Sequence, residues 1–236
     1  HAAHIEHPSV RQNTAERLHV QATREVLELA RACTKLRVLV HHSTTYISGD
    51  RRGLVLESEL DLGQKPRNAI EATRLHAEKL VQRASKSLPI VVMRPSTLVG
   101  DSRTGAVDRL DGAYLLVLLV LTSPTDLPLP LPTEGDALLQ TVPVDWVART
   151  AIELGHDRRA IGHTFHLVEP NPLTTRRACE AIARAAGKPE PRGHIPANVT
   201  KAILSTPGLD RFLRSPRAFL DQLAQRRRKR AQHAAL

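Results

Sequence analysis

An amphipathic segment between two apolar runs constrains the fold of this chain more than any other feature. In residues 68–81 one set of side chains recurs at spacings of three and four, which is the period of one face of an α-helix. The flanking runs, residues 36–42 and 90–93, are short and rich in branched aliphatic side chains, as strands covered on both faces are. The segment therefore predicts a strand, a helix and a second strand parallel to the first. The shared helical face comprises Ile70, Arg74, Ala77 and Val81.

The alternation of strands and helices continues along the chain. Helical patterns occupy residues 9–32, 147–154 and 174–186, and a further strand is predicted over residues 162–168. This order predicts an α/β fold with a doubly wound parallel sheet. Such sheets bind ligands at the carboxyl ends of their strands, and the hydroxyl-bearing residues Ser43–Tyr46 follow the first strand at that edge.

Apolar runs and cysteines narrow the class of protein. The longest apolar run, residues 113–121, is shorter than the ~20 residues that a membrane-spanning helix needs. No secretory signal pattern opens the sequence, so a cytoplasmic protein is expected. Cys33 and Cys179 lack the spacing of metal ligands and are predicted to be buried thiols in a reducing compartment.

Positive charge is concentrated near the C-terminus, where Arg226–Arg230 is a continuous basic run in a chain of formal net charge +10. Such a run can bind nucleic acid or an anionic surface by releasing counterions, or it can be the solvated end of a helix. No aromatic residues interleave with these charges, so nucleic acid is not an expected partner. No metal site is predicted, because the adjacent His41 and His42 point to opposite faces of a strand.

Five motifs in a fixed order resemble one known family. Residues 1–4 are HAAH, residues 43–49 are STTYISG, and residues 94–105 are RPSTLVGDSRTG. They are followed by TVPVDWVA at residues 141–148 and GHTFHLVEPNPLT at residues 162–174. In order and spacing the motifs resemble the later two-thirds of the extended short-chain dehydrogenases/reductases, of the NAD-dependent epimerase/dehydratase superfamily. Within that group they are most similar to the branch of thioester reductases and fatty-acyl reductases.

The resemblance implies an activity and a domain organisation. It implies an NAD(P)-dependent oxidoreductase, with NAD or NADP as cofactor and a carbonyl, acyl-thioester or sugar-nucleotide small molecule as substrate. It also implies a Rossmann-like domain over residues 1–160, a small, mostly helical substrate region over residues 161–225 and a basic tail over residues 226–236. A homodimer is left open.

The resemblance assigns residues to the site as well. In the family a Tyr passes the proton, a Lys four residues later lowers the pKa of that Tyr and holds the nicotinamide ribose, and a Ser or Thr hydroxyl positions the carbonyl. Thr44 takes the hydroxyl position, whereas Ile70 stands at the Tyr position and Arg74 at the Lys position. The cofactor-binding residues implied by the same match are Ala2, Ala3, Ser43, Arg74, Pro95 and Ser96.

Two of these residues predict an impaired enzyme. Ile70 has no ionisable hydrogen, and Arg74 keeps its charge where a Lys would tune a proton relay, although its guanidinium can still bond ribose hydroxyls. Tyr46 is the nearest phenol in the sequence that could substitute for the missing one. On a purely structural interpretation Thr44 satisfies its own backbone, Ile70 completes an apolar helical face and Arg74 is a solvated charge.

The sequence contains no glycine-rich phosphate loop. No G-x-G-x-x-G or related pattern follows a strand, although the pyrophosphate of a dinucleotide is ordinarily held by glycine N–H groups at a helix N-terminus. In the family this loop precedes the segment matched by residues 1–4, so an N-terminally truncated form is expected. Three hypotheses follow. They are a reductase, a catalytically inactive family member that acts as a binding or regulatory subunit, and a basic-tail nucleic-acid-associated protein.

Overall fold

The computed structural model describes residues 1–2, 10–107, 112–122, 128, 130–132 and 134–195. The chain divides into two compact units, His1–Gly105 with Val142–Glu169 and Ala106–Thr141 with Pro170–Leu236. The predicted cofactor contact at Ala3 and the basic run Arg226–Arg230 lie outside the described residues, as does the part of the predicted substrate region that follows residue 195.

The longer helices and the strands of the central sheet follow one another in the predicted alternation, and short strands of two or three residues that the patterns did not predict lie between them. The helices are α1 Gln12–Ala15, a π-helical turn Glu16–Gln21, α2 Ala22–Ala32, α3 Ala69–Ala84, α4 Tyr114–Thr122, α5 Val144–His156 and α6 Thr175–Ala185, with 3₁₀ turns Thr45–Ser48 and Arg158–Ala160. The strands are β1 Leu39–His42, β2 Ile90–Pro95, β3 Thr97–Val99, β4 Leu131–Pro132, β5 Leu138–Leu139, β6 Thr141–Pro143, β7 Thr164–Leu167, β8 Leu173–Thr174 and β9 His194–Ile195.

A parallel sheet in the order β1-β2-β7 forms the centre of the first unit. Strand β2 lies between the other two and is buried at every residue, as its run of branched aliphatic side chains predicts. It differs from the predicted strand by continuing through Arg94 and Pro95. Both are tolerated there because the charge of Arg94 is paired and the missing N–H of Pro95 falls at the last residue of the strand. Strand β1 begins at Leu39, three residues later than predicted, and is only partly buried.

Helices cover both faces of this sheet, which confirms the doubly wound arrangement. On one face Ile90 and Val92 of β2 pack against Leu27 of α2 and against α3. On the other face Met93 of β2 packs with Val147 of α5 and with β7. Because successive residues of a strand point to opposite faces, one apolar strand supplies both layers of the core.

The second unit is built on a smaller apolar cluster. The apolar run at residues 113–121 forms α4, which begins at Tyr114 and packs against α6. The buried members of this cluster are Val120, Leu131, Cys179 and Ala183. Cys179 is thus buried as predicted, whereas the prediction is wrong for Cys33, which is exposed where α2 ends. Within the part of the chain that the structure describes, no helix is both long enough and apolar enough to cross a membrane.

The predicted domain boundary after residue 160 differs from the division into compact units. Strand β7 lies beyond that boundary, yet it pairs in parallel with β2, with Val92 opposite Thr164 and Met93 opposite Phe165. Backbone pairing with a central strand therefore assigns β7 to the first unit, which ends at Glu169.

The start of α3 is fixed by its local sequence. The Asn68 side chain accepts a hydrogen bond of 2.9 Å from the Glu71 N–H, and the Glu71 carboxylate accepts one of 2.7 Å from the Arg67 N–H. This reciprocal capping satisfies backbone donors that a helix N-terminus otherwise leaves free. The helix consequently begins at Ala69, within one residue of the predicted start.

The polar excursion, residues 51–66, connects the 3₁₀ turn with α3, and Gly49 lies just before it. The φ of Gly49 is 57° and its ψ is −125°, a conformation that residues other than glycine rarely adopt. The chain returns beside it, since the Asp50 N–H donates to the Lys65 carbonyl at 3.1 Å. A Cβ atom on Gly49 would lie 2.5 Å from that carbonyl oxygen. Gly49 is thus required by both conformation and space.

We expect Gly49→Ala to lower the free energy of unfolding by more than ~2 kcal/mol, because left-handed strain of ~1–2 kcal/mol adds to displacement of the Lys65 backbone. Gly53→Ala is the matched control, since Gly53 also has a positive φ, 79°, but nothing lies within 4 Å of its added Cβ. Urea unfolding of the two variants measures the difference. Equal losses would show that the close approach of Lys65 contributes nothing.

Candidate functional site

The candidate site begins where β1 ends. The Ser43 N–H donates to the Met93 carbonyl at 2.7 Å, so the pairing with β2 continues one residue past β1. Thr44 then starts the 3₁₀ turn, and its Oγ1 accepts a hydrogen bond of 3.3 Å from the Tyr46 N–H. The structural interpretation of Thr44, a hydroxyl that satisfies its own backbone, is therefore observed. A hydroxyl that accepts this bond can still donate its proton elsewhere.

Arg74 lies at the same strand end. Its side chain is buried, and its Nη1 donates to the Ser43 carbonyl at 3.2 Å. The alternative that Arg74 is a solvated surface charge is wrong. Arg74 shares its helical face with the buried Ala77 and Val81, and that face packs on the sheet. The guanidinium is consequently held beside the residue that precedes Thr44.

Ile70 lies one helical turn before Arg74 and is half-buried. Its carbonyl accepts a hydrogen bond of 3.2 Å from the Thr73 hydroxyl, and its side chain is a hydrocarbon that can neither donate nor accept a proton. The Tyr46 phenol, by contrast, is 42% exposed and hydrogen-bonds to the Thr97 hydroxyl at 2.5 Å. The Tyr46 phenol therefore contacts Thr97, the residue that follows Ser96 just beyond the end of β2.

The end of β2 carries an unsatisfied hydroxyl. The Ser96 N–H donates to the Leu167 carbonyl at 3.0 Å, which holds the residue beside β7. Its Oγ is buried and makes no hydrogen bond to any residue that the structure describes. A buried hydroxyl without a partner is costly, so the position suits a polar group of a bound molecule. Ala2, another predicted cofactor residue, is exposed and follows His1, whose carbonyl accepts from the His42 N–H at the edge of β1.

A buried ion pair that sequence reasoning missed holds these elements together. Arg94 of β2 donates to Glu78 of α3 from Nη2 at 2.7 Å and from Nε at 2.9 Å. Both side chains are almost completely buried. The Ser43 hydroxyl donates to the other oxygen of the Glu78 carboxylate. One carboxylate thus joins α3, β2 and the end of β1, and the signal for it was an Arg inside an otherwise apolar strand.

The same guanidinium extends the network to β7 and to the polar excursion. Arg94 Nη1 lies 3.0 Å from His166 Nε2 and donates to the Glu57 carbonyl at 3.3 Å. The His166 backbone N–H donates to the Glu57 carboxylate at 2.6 Å. Burial lowers the pKa of His166 and the charge of Arg94 lowers it further, while Glu57 acts in the opposite direction. An Arg has no acceptor atom and a neutral imidazole nitrogen can accept, so Arg94 donates to Nε2.

No group of three or more His, Cys, Asp or Glu side chains has a metal-ligand arrangement among the residues that the structure describes. His19 shows how one of the 12 histidines is used instead. It is buried in the π-helical turn, and its Nδ1 lies 2.7 Å from the Thr73 hydroxyl of α3. That hydroxyl also donates to the Ala69 carbonyl at 2.8 Å, which leaves it to accept from His19.

A parallel sheet covered by helices on both faces, with polar side chains gathered at its carboxyl edge, defines a Rossmann-like α/β protein. The chain belongs to the NAD_binding_4 family, described as Male sterility protein, whose family model matches residues 1–151. The predicted membership of the extended short-chain dehydrogenases/reductases is confirmed. The predicted cofactor class, NAD or NADP, is confirmed at the level of the family, which is named for NAD binding.

Individual relatives agree with this membership. The chain is 29% identical over 177 residues to glycine betaine reductase ATRR of Emericella nidulans, a match that covers 73% of this chain and 14% of that protein. The terminal R domain of the myxalamid PKS-NRPS biosynthetic pathway has a similar structure, with a TM-score of 0.70 and 26% identity. That match covers 91% of this chain and 55% of the R domain.

A more distant solved structure shares the fold. UDP-glucuronic acid 4-epimerase from Bacillus cereus, solved in complex with NAD, superposes with a TM-score of 0.65 at 23% identity and covers 83% of this chain and 61% of its own. The chain therefore spans little more than half of the solved relatives it matches and a small part of the curated one.

We expect Glu78→Leu to lower the free energy of unfolding by about 3–5 kcal/mol, because it leaves the Arg94 guanidinium buried without its carboxylate. Removing both charges in Glu78→Leu/Arg94→Leu should cost less than the single change, since no unpaired charge remains. Arg159→Ala is the control for an ion pair on the surface, where loss of the bond to Asp157 should cost far less than Glu78→Leu does.

Guanidinium chloride unfolding of the three variants measures these losses. A double variant as unstable as Glu78→Leu would mean that shape, rather than an uncompensated charge, explains the loss.

Proposed function

We propose that this chain acts as an NAD(P)-dependent reductase of the extended short-chain dehydrogenase/reductase type, with a carbonyl or acyl-thioester substrate. The observation that carries the proposal is the hydrogen bond from the Arg74 guanidinium to the Ser43 carbonyl. It brings the helix residue at the family's Lys position to the strand end that bears Thr44. The name of one relative, glycine betaine reductase ATRR, supports reduction as the reaction class.

The residues at the carboxyl edge fit the nicotinamide end of a dinucleotide. Arg74 would bond the ribose hydroxyls, and the Ser96 hydroxyl, buried without a partner among the described residues, would bond a polar group of the cofactor. Pro95, Ser43 and the N-terminal alanines would complete the contact surface. When bound, the nicotinamide supplies the hydride. The sequence offers no glycine-rich loop for the pyrophosphate.

Thr44 would position the substrate carbonyl, because its hydroxyl can donate to the carbonyl oxygen while it accepts from the Tyr46 backbone. The negative charge that develops on that oxygen needs a proton. Ile70 supplies none, and Arg74 stays protonated at every ordinary pH. We therefore propose that proton transfer is the impaired step.

A second candidate function is a catalytically inactive family member that binds nucleotide as a regulatory or binding subunit. The burial of Arg74 favours it, because the ribose contact needs only a donor, whereas turnover also needs the phenol that Ile70 replaces. The assignment of residues 161–225 to substrate binding stays a proposal. So does a reducing, cytoplasmic location, which the free thiols of Cys33 and Cys179 support.

We expect Ile70→Tyr/Arg74→Lys to raise the rate of NADPH oxidation with octanal as the probe aldehyde by about 10²–10⁴-fold, the usual contribution of a positioned general acid. The matched control is Ile70→Phe/Arg74→Lys, which adds the same ring and the same ammonium without the hydroxyl. The measurement is the loss of NADPH absorbance in the longest soluble form of the protein.

The same two variants separate the candidate functions. A gain confined to the tyrosine variant supports the reductase proposal. If the tyrosine variant is no faster than the phenylalanine control, proton transfer at residue 70 is not what limits the reaction.

A further inference from the structure

Several contacts hold the polar excursion, among them an ion pair between Asp61 and Lys79 of α3. Its ends meet where the Lys65 N–H donates to the Asp50 side chain at 2.8 Å. Leu60 anchors its second half by packing in a cluster with Ile47 and Leu75. The first half is attached to the sheet through Glu57, which reaches both Arg94 and His166.

His166 supports the attachment through Glu57 as a neutral acceptor. Because Arg94 Nη1 donates to its Nε2 at 3.0 Å, the proton of the neutral ring lies on Nδ1. If Nε2 were protonated, two donors would face each other at that distance and two positive charges would adjoin. The hydrogen bond would be lost, and repulsion would act on the guanidinium that also holds the Glu57 carbonyl.

The charges around His166 decide how it responds to protons. Arg94 lies on the neighbouring strand, and its charge is compensated by the Glu78 carboxylate rather than by His166. From the polar excursion, Glu57 contributes a carboxylate on the backbone side of His166, and the Arg51–Glu59 ion pair lines the same cleft at 2.7 Å between charged atoms. The guanidinium is thus the group in direct contact with the imidazole, and it opposes a second positive charge.

We propose that His166 is a positioning residue of the site: its neutral form fixes Arg94 Nη1 against the first half of the polar excursion, and its protonation loosens that attachment while the Glu78 ion pair keeps Arg94 in the sheet. Its link to the reaction rests on the proposed function, because Arg94 acts through Glu78 on Ser43, the residue before Thr44. The release itself can be tested without any cofactor or substrate.

The sign of the pH effect follows from the direction of the pKa. The pKa of His166 in the folded protein lies below its ordinary value of 6.5, so the released state binds the proton more tightly than the closed one. The closed arrangement is therefore fully favoured above about pH 6.5 and is lost as the pH falls below that value toward the lowered pKa.

Hydrogen-exchange mass spectrometry between pH 7.5 and 5.5, corrected for the intrinsic rate of amide exchange, tests the release. In the wild-type protein we expect exchange in residues 51–66 to rise by up to about tenfold per pH unit below 6.5, as uptake of one proton requires. Helix α6 of the other unit serves as the internal reference and should show no such rise. Wild-type exchange in residues 51–66 that does not depend on pH would overturn the proposal.

Variants at residue 166 separate positioning from packing. The side-chain oxygen in His166→Gln reaches the place of Nε2 and accepts from Arg94, but it cannot be protonated. This variant should keep the wild-type protection at pH 7.5 and lose the pH dependence, whereas His166→Leu should lose protection at both pH values. His163→Gln, which changes an exposed histidine three residues earlier, should behave as the wild type.

A pH dependence that survives in His166→Gln would assign the effect to another group and contradict the proposal. Because the readout uses neither NADPH nor substrate, failure of the reductase proposal would leave this result unaffected.

Discussion

The ion pair between Glu78 and Arg94 is the interaction on which the carboxyl edge of the sheet depends. Either charge alone would be costly to bury, and the pair is tolerated because each atom that faces the interior is hydrogen-bonded. The second carboxylate oxygen accepts from Ser43, and the remaining guanidinium nitrogen reaches His166 and Glu57. One pair of charges therefore fixes three strand ends, a helix and a loop. Its hydrogen bonds require defined orientations of these elements, which apolar packing alone does not.

Local patterns were sufficient to predict the longer helices and the strands of the central sheet, but neither the short strands nor this pair. The strands and α3 follow from spacings within single segments, and those spacings persist whatever the partner elements do. The sequence does not distinguish Glu78 from an exposed glutamate, because charged residues surround it in α3 just as they surround the exposed Glu28 in α2. Its partner Arg94 was predicted to interrupt the strand, because a charge in an apolar run is costly until a distant carboxylate compensates it. Only the packing of α3 on β2 reveals that compensation.

The candidate residues show the same division between local and tertiary information. The hydrogen bond between Thr44 and its own turn joins residues only two positions apart, so the sequence alone could suggest it as one of two interpretations. The burial of Arg74 depends on how deeply α3 packs, and the interpretation that placed it in solvent was wrong. The unsatisfied Ser96 hydroxyl has no sequence signal, because tertiary packing decides whether a buried hydroxyl finds a partner.

In such a site the residues that maintain the fold and those that transfer the proton can change independently of each other. A branched aliphatic side chain at residue 70 extends the apolar face of α3, so replacing a phenol there need not disturb the packing of the helix. A guanidinium at residue 74 can still donate to ribose hydroxyls, so nucleotide affinity can outlast the relay. Retention of the fold is therefore no argument for turnover. Under the proposed function, a working reductase differs from a nucleotide-binding subunit by an ionisable oxygen at residue 70 and an ammonium at residue 74.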